Sequence, residues 1–288
     1  MSKLFCFGLG FSAEALSARL KREGWEIAGT VRSEEKAERL RGLGYEMVTF
    51  EGPEGKAKVL RLLEGTTHLL LSIPPRDGDP ALEIFADEIG ALKSLQWIGY
   101  LSTVGVYGDH EGAAVDETTT PKPEKDRSKA RVEAEAAWLA LGEEIGVPTQ
   151  VFRLAGIYGP GRSAVQKVQD GTAKRIVKPG QVFSRIHVED IATVVAASID
   201  KPRQGAIYNV ADDEPAPPQD IIAYAAELLG IEPPPEVPFE EADMSPMARS
   251  FYSERRRIVN DRIKSELKVT LAYPTYREGL RSLVPPQD

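Results

Sequence analysis

Apolar runs of strand length alternate with stretches of helical periodicity along most of the chain. That alternation restricts the fold more than any other feature of the 288 residues. Residues 3–8, 26–31, 47–50, 68–72, 97–102 and 149–154 read as strands, with a seventh at 206–210. Helical patterns fill the gaps at 12–23, 34–41, 56–63, 81–92 and 127–145. In the fourth of these, Leu82, Phe85, Ile89 and Leu92 fall on one face at helical spacing. The strand runs are almost continuously apolar, as required when helices cover both faces of a sheet. The expectation is an α/β fold, a doubly wound parallel sheet.

The pattern loosens after Gly156. Residues 158–180 are Gly-rich and polar, regularity returns at 183–199, and a helix is expected over about 218–229. Pro233-Pro234-Pro235 then interrupts the chain, and Pro238, Pro246 and Pro274 punctuate the remainder. The expected division is a nucleotide-binding domain of residues 1–157 with 184–211, and a smaller substrate lobe of 158–183 with 212–288.

Composition narrows the partners. Lysine and arginine number 36 against 44 acidic residues, a net charge of −8, which argues against a nucleic-acid binder. Arg255-Arg256-Arg257 is the densest basic run and reads as a solvated face. The single cysteine, Cys6, lies in an apolar run and excludes a disulfide framework or a cysteine-cluster metal site. His68, His110 and His187 show no metal-ligand spacing, so no metal is expected. No apolar run reaches the roughly 18 residues of a membrane span, and the N-terminus lacks the layout of a secretion signal. A cytoplasmic protein acting on a small molecule is expected, with no membrane association.

Gly8-Leu9-Gly10-Phe11-Ser12-Ala13 joins the first strand to the first helix as a GxGxxA loop. Gly8 allows the tight turn, Gly10 lets the backbone approach a pyrophosphate, and Ala13 permits close helix–strand packing. The helix start at Phe11 and Ser12 adds N–H donors and a positive dipole end. In the first βα turn this is the context that dinucleotide binding by a Rossmann-type sheet demands. The second strand ends in Arg32-Ser33 rather than an acidic residue. Arg32, with Ser33 as a second donor, suits a 2′-phosphate and favours NADP, with NAD left open. Ser72 and Pro74, after the fourth strand, sit on the carboxyl edge where ligands bind.

Leu101-Ser102-Thr103-Val104-Gly105-Val106-Tyr107-Gly108, followed by Lys129, resembles the extended short-chain dehydrogenase/reductase superfamily, the NAD-dependent epimerase/dehydratase group. Residues 153–162, 184–192 and 208–210 match later segments of that group in order, and residues 273–280 resemble the end of an atypical branch. The resemblance implies that Thr103 hydrogen-bonds the reacting oxygen and that Lys129 binds the nicotinamide ribose. It implies that His187 and Asp190 are mainly structural, and it leaves a homodimer through sheet-flanking helices open.

One position departs from the pattern. The YxxxK tyrosine would stand four residues before Lys129, where this chain has Lys125. A tyrosine there acts as general acid/base, with its pKa lowered by the lysine and the cofactor charge. Lys125 between Glu124 and Asp126 reads as solvated. Tyr107, Tyr158 or no acid/base at all are the alternatives, Tyr158 being expected at the mouth of the site. Two readings therefore stand: an NAD(P)-dependent oxidoreductase or epimerase/dehydratase-like enzyme for a hydroxyl or carbonyl substrate, and a non-catalytic NADP(H)-binding sensor or scaffold.

Overall fold

Strand β1 (Lys3–Phe7) has all five residues buried, and the sheet grows outward from it on both sides. In a computed structural model that describes residues 1–76 and 78–284, β2 (Glu26–Val31) and β3 (Glu46–Thr49) follow on one side. On the other side lie β4 (His68–Leu71), β5 (Trp97–Thr103), then strands Thr149–Leu154 and Ile207–Val210. The β1–β2, β2–β3, β1–β4 and β4–β5 pairings are all parallel. The N–H of Val151 donates to the Ala206 carbonyl at 2.9 Å, and Ala155 to Val210 at 3.0 Å, so the last strand keeps that direction. The seven-stranded order reverses between β1 and β4, which opens a crevice at their carboxyl ends.

The chain folds as two compact units. The first comprises residues 1–106, 123–153 and 191–208. Its helices are α1 (Phe11–Arg22), α2 (Glu34–Gly42), α3 (Lys56–Leu63), α4 (Pro80–Gly90) and α5 (Asp126–Ile145). Asp79 starts α4: its carboxylate accepts from the N–H groups of Ala81 at 3.0 Å and Leu82 at 3.1 Å. The same carboxylate accepts the Trp138 indole N–H from α5 at 3.1 Å, so one buried acid caps one helix and anchors another. Gly146 ends α5 in the left-handed conformation, φ +67°. Phe7, Phe50 and Phe85 meet edge-on or tilted at 5.2–6.3 Å between ring centres, within a core that includes Tyr100 and Trp138.

The second unit comprises residues 107–122, 154–190 and 209–288, of which 285–288 lie outside the described residues. Three short parallel pairs organise it: Gly156–Tyr158 with Arg185–His187, Arg175–Val177 with Glu236–Pro238, and Ala114–Val115 with Arg257–Ile258. Tyr158, Val165, Ile221, Ala225, Tyr276 and Leu280 pack into its core. The expected lobe boundaries shift accordingly. Segment 107–122 groups with the second unit because Ala114–Val115 pairs with the C-terminal strand, and 184–190 follows because Arg185–His187 pairs with Gly156–Tyr158. Among the described residues, no helix is long and apolar enough to cross a membrane.

Candidate nucleotide-binding and active site

The turn after β1 is bound tightly to its neighbours. Gly8 takes φ +80°, and its N–H donates to Thr30 Oγ1 at 2.9 Å. The Leu9 N–H donates to the Thr30 carbonyl at 2.7 Å. A Cβ on Gly8 would lie 2.7 Å from Ile73 Cγ1 and 3.2 Å from the Ile73 nitrogen, so only glycine lets this turn sit against the loop after β4. The Ser72 N–H reaches the Phe7 carbonyl at 2.9 Å and completes that junction.

Gly10 differs from Gly8. It caps α1 in an extended conformation, φ −91°, that other residues also adopt. A Cβ there would meet only the Gly8 carbonyl, at 3.8 Å. The space beside Gly10 is therefore open, while Ser12 and Ala13 are buried against the sheet. No side chain caps the start of α1. An open backbone face at an uncapped helix N-terminus fits a pyrophosphate. The loop passes that test on its own geometry.

At the end of β2, Arg32 is exposed. Ser33 is the N-cap of α2, its hydroxyl accepting from the Lys36 N–H at 3.4 Å. Glu34, which could oppose a phosphate at Arg32, is paired with Arg41 at 2.6 Å. Glu14 on α1 is likewise engaged, by Arg39 at 2.9 Å and Lys36 at 3.4 Å. Ser72 is half-buried and Pro74 exposed at the end of β4.

The carboxyl end of β5 brings two hydroxyls and a buried ion pair together. Thr103 Oγ1 accepts the Gly105 N–H at 3.1 Å. Ser102 is buried and donates to Glu135 of α5 at 2.5 Å. Glu135 also pairs with Arg153 at 2.7 Å, both side chains being about 5% exposed. The Ser102–Glu135–Arg153 network escapes sequence reading, since a glutamate among charged helix residues looks solvated. The one available signal is that Arg153 stands between apolar Phe152 and Leu154 in strand Thr149–Leu154.

Lys125 is the N-cap of α5, extended at φ −85° and ψ 139°, and thus lies just outside the helix. Its carbonyl accepts the Lys129 N–H at 3.0 Å, so the two residues stand one turn apart. The Lys129 side chain is 52% exposed and pairs with the fully exposed Asp126 at 3.2 Å. It is therefore held only by a surface ion pair of small energy. Tyr107 is fully buried and donates to Asn209 Oδ1 at 2.7 Å, which makes it a structural hydroxyl.

Tyr158 is not at a mouth. It is 7% exposed in the core of the second unit, and its hydroxyl has no hydrogen-bond partner among the described residues. A Cβ on Gly279 would lie 1.9 Å from that oxygen, so helix Tyr276–Arg281 closes directly over it. Burial raises its pKa, and Asp212 and Asp190 raise it further. Nearby, His187 is buried between Tyr158 and Tyr273, and burial lowers its pKa. Asp190 accepts the N–H groups of Ala272 at 2.7 Å and Tyr273 at 3.0 Å, pinning the C-terminal segment.

Comparison with known proteins agrees with this layout. Residues 91–211 match the NAD dependent epimerase/dehydratase family. A solved structure of a functionally unknown conserved protein from Silicibacter pomeroyi DSS is 52% identical, covers 98% of each chain and superimposes with a TM-score of 0.88. Protein YeeZ of Escherichia coli K12 is 28% identical over 95% of this chain and 97% of its own length. The NAD complex of dTDP-glucose 4,6-dehydratase from Bacillus anthracis shares the fold at 17% identity, with a TM-score of 0.79 over 98% of this chain and 95% of that one. From the sheet order, the glycine turn and these likenesses together, residues 91–211 form a segment of the NAD-dependent epimerase/dehydratase family, set in a chain that has the fold of that dehydratase.

Proposed function

We propose that the protein is an NADP(H)-dependent oxidoreductase or epimerase/dehydratase-like enzyme acting on a small hydroxyl or carbonyl compound. The observation that carries this reading is the open face of Gly10 at the uncapped start of α1. When bound, the nicotinamide ring supplies the carbon that gives or takes hydride.

The chain supplies binding and orientation. The 8–13 loop and the α1 dipole hold the pyrophosphate. Arg32 and the Ser33 hydroxyl hold a 2′-phosphate, supported by the diversion of Glu34 to Arg41. Ser72 and Pro74 line the crevice at the end of β4. Lys129 leaves Asp126 and hydrogen-bonds the nicotinamide ribose, a small change because its present partner is solvated. Thr103 Oγ1 accepts from Gly105, so its own O–H proton remains available for a substrate oxygen. Tyr158 has no part, because its hydroxyl is sealed beneath Gly279.

Titration with NADPH and NADH, followed by nicotinamide fluorescence, tests the cofactor assignment. Arg32→Ala should weaken NADPH by about 1–3 kcal/mol and leave NADH nearly unchanged. Equal weakening of both would remove the 2′-phosphate role.

A second reading, a non-catalytic NADP(H) sensor, has its own observation. Lys125 occupies the tyrosine position as an N-cap, and Tyr107 and Tyr158 are both buried. Tight NADPH binding without oxidation by any of a panel of aldehydes, ketones and keto sugars would favour it.

A further inference from the structure

The β5 turn and the first turn of α5 converge on Ser128, one of the positions between Lys125 and Lys129 that the YxxxK pattern leaves unspecified. A Cβ built on Gly105 would stand 3.3 Å from Ser128 Oγ and 3.3 Å from Thr103 Oγ1. The two hydroxyls thus flank one glycine, whose missing side chain leaves room between them. Ser128 is 3% exposed. Its N–H is spent on the Lys125 carbonyl at 2.8 Å, but its hydroxyl makes no hydrogen bond among the described residues. Its oxygen is not among the buried side-chain atoms that lack a partner, so this hydroxyl reaches solvent and is open to a ligand atom.

We propose that Ser128 is the second hydroxyl of a two-pronged clamp, with Thr103, for an oxygen atom of the substrate. The inference rests on the proposed function and deepens it. In this chain α5 begins one residue after Lys125, so the helical position directed at the β5 turn is Ser128 rather than the residue four before Lys129. Two O–H donors on one oxygen suit a carbonyl, and they strengthen their hold as charge gathers on that oxygen. A serine hydroxyl does not titrate near neutrality, so Ser128 orients and stabilises the oxygen, and the proton that the oxygen finally needs comes from solvent water. The substrate class is accordingly a compound with an unhindered carbonyl or hydroxyl oxygen narrow enough to enter between Thr103 and Ser128.

Two measurements test the clamp. The first compares wild type, Ser128→Ala and Gly105→Ala for NADPH binding and for NADPH oxidation by the carbonyl panel. Ser128→Ala should keep its melting temperature and NADPH affinity and lose about 100-fold in kcat, the scale for removing one such donor. Gly105→Ala places a methyl group 3.3 Å from both oxygens and should give the same split. Unchanged kcat in Ser128→Ala, with an active wild type, overturns the clamp and leaves the enzyme reading intact. An inactive wild type that binds NADPH overturns both.

The second measurement does not depend on turnover. Cys6 is fully buried and its thiol is pushed up to about 12 by burial, so the native chain should alkylate slowly. Ser128→Cys should react with iodoacetamide faster than this background, and acetone or glyceraldehyde with NADP should slow the reaction. Alkylation no faster than background, or unaffected by those carbonyl compounds, counts against Ser128 facing the substrate.

Discussion

Arg153 and Glu135 form a buried ion pair at 2.7 Å, and Ser102 donates its hydroxyl to the same carboxylate at 2.5 Å. The pair joins strand Thr149–Leu154 to α5 beneath the end of β5. Removing one partner leaves the other charge buried and unneutralised. Arg153→Leu should therefore destabilise the protein by roughly 3–5 kcal/mol, measured by urea unfolding. The double variant Arg153→Leu/Glu135→Leu should recover much of that loss. A double variant worse than the single would show that the pair contributes more than it costs to bury.

The two glycines of the nucleotide turn should separate stability from binding. Gly8→Ala forces a side chain into φ +80° and against Ile73, so its melting temperature should fall clearly. Gly10→Ala meets no close atom, so its melting temperature without ligand should stay within experimental error. Its NADPH affinity should drop at least tenfold as the methyl group enters the open face, an effect of about 1.4 kcal/mol or more. Thermal melts with and without NADPH check both.

Tyr158→Phe removes a buried hydroxyl that lacks a partner. Stability should stay level or rise by about 1 kcal/mol, and any turnover should be unaffected. Gly279→Ala, in contrast, places a Cβ 1.9 Å from the Tyr158 oxygen and 2.6 Å from its ring, and should destabilise strongly. A fall in kcat for Tyr158→Phe with unchanged stability would restore that tyrosine to the site.

The sequence pattern made the sheet readable because its strands are buried on both faces and its turns carry glycine at defined offsets. Gly8 and Gly10 could be assigned roles because each backbone conformation or clearance follows from the βα turn itself. Ser128 could not, since one serine in a charged helix start carries no periodic signal, and only the proximity of Gly105 distinguishes it. Tyr158 misled for a related reason. Its position after a strand end suggested exposure, but helix Tyr276–Arg281 returns from far along the chain to cover it. Long-range closure of that kind leaves no local trace.

Asp212 should give stability a distinctive pH dependence. Burial pushes its carboxyl up to about 8 from the ordinary 3.8, against the pull of Arg185. The folded state thus retains a proton that the unfolded chain releases above about 4. Its contribution is fully present below that pH, declines as pH rises, and is lost on passing the folded value near 8. Between pH 5 and 8 the wild type should lose stability relative to Asp212→Asn, by an amount on the order of a few kcal/mol. His187 acts oppositely at low pH, because burial keeps it neutral, so the comparison with the Asn variant isolates Asp212. Parallel curves for the two proteins would show that Asp212 ionises normally.

Each unit is assembled from three separated stretches of chain, and the pairing of Ala114–Val115 with Arg257–Ile258 joins residues that a ribosome makes far apart in time. Folding during synthesis must therefore wait. Strand Ala114–Val115 emerges long before its partner, and the edge strand Ile207–Val210 must arrive before the sheet is complete. Closing such long loops slows folding. A nascent chain stopped before residue 209 would hold all of the first unit's residues and only fragments of the second, with apolar surface still uncovered and prone to aggregate.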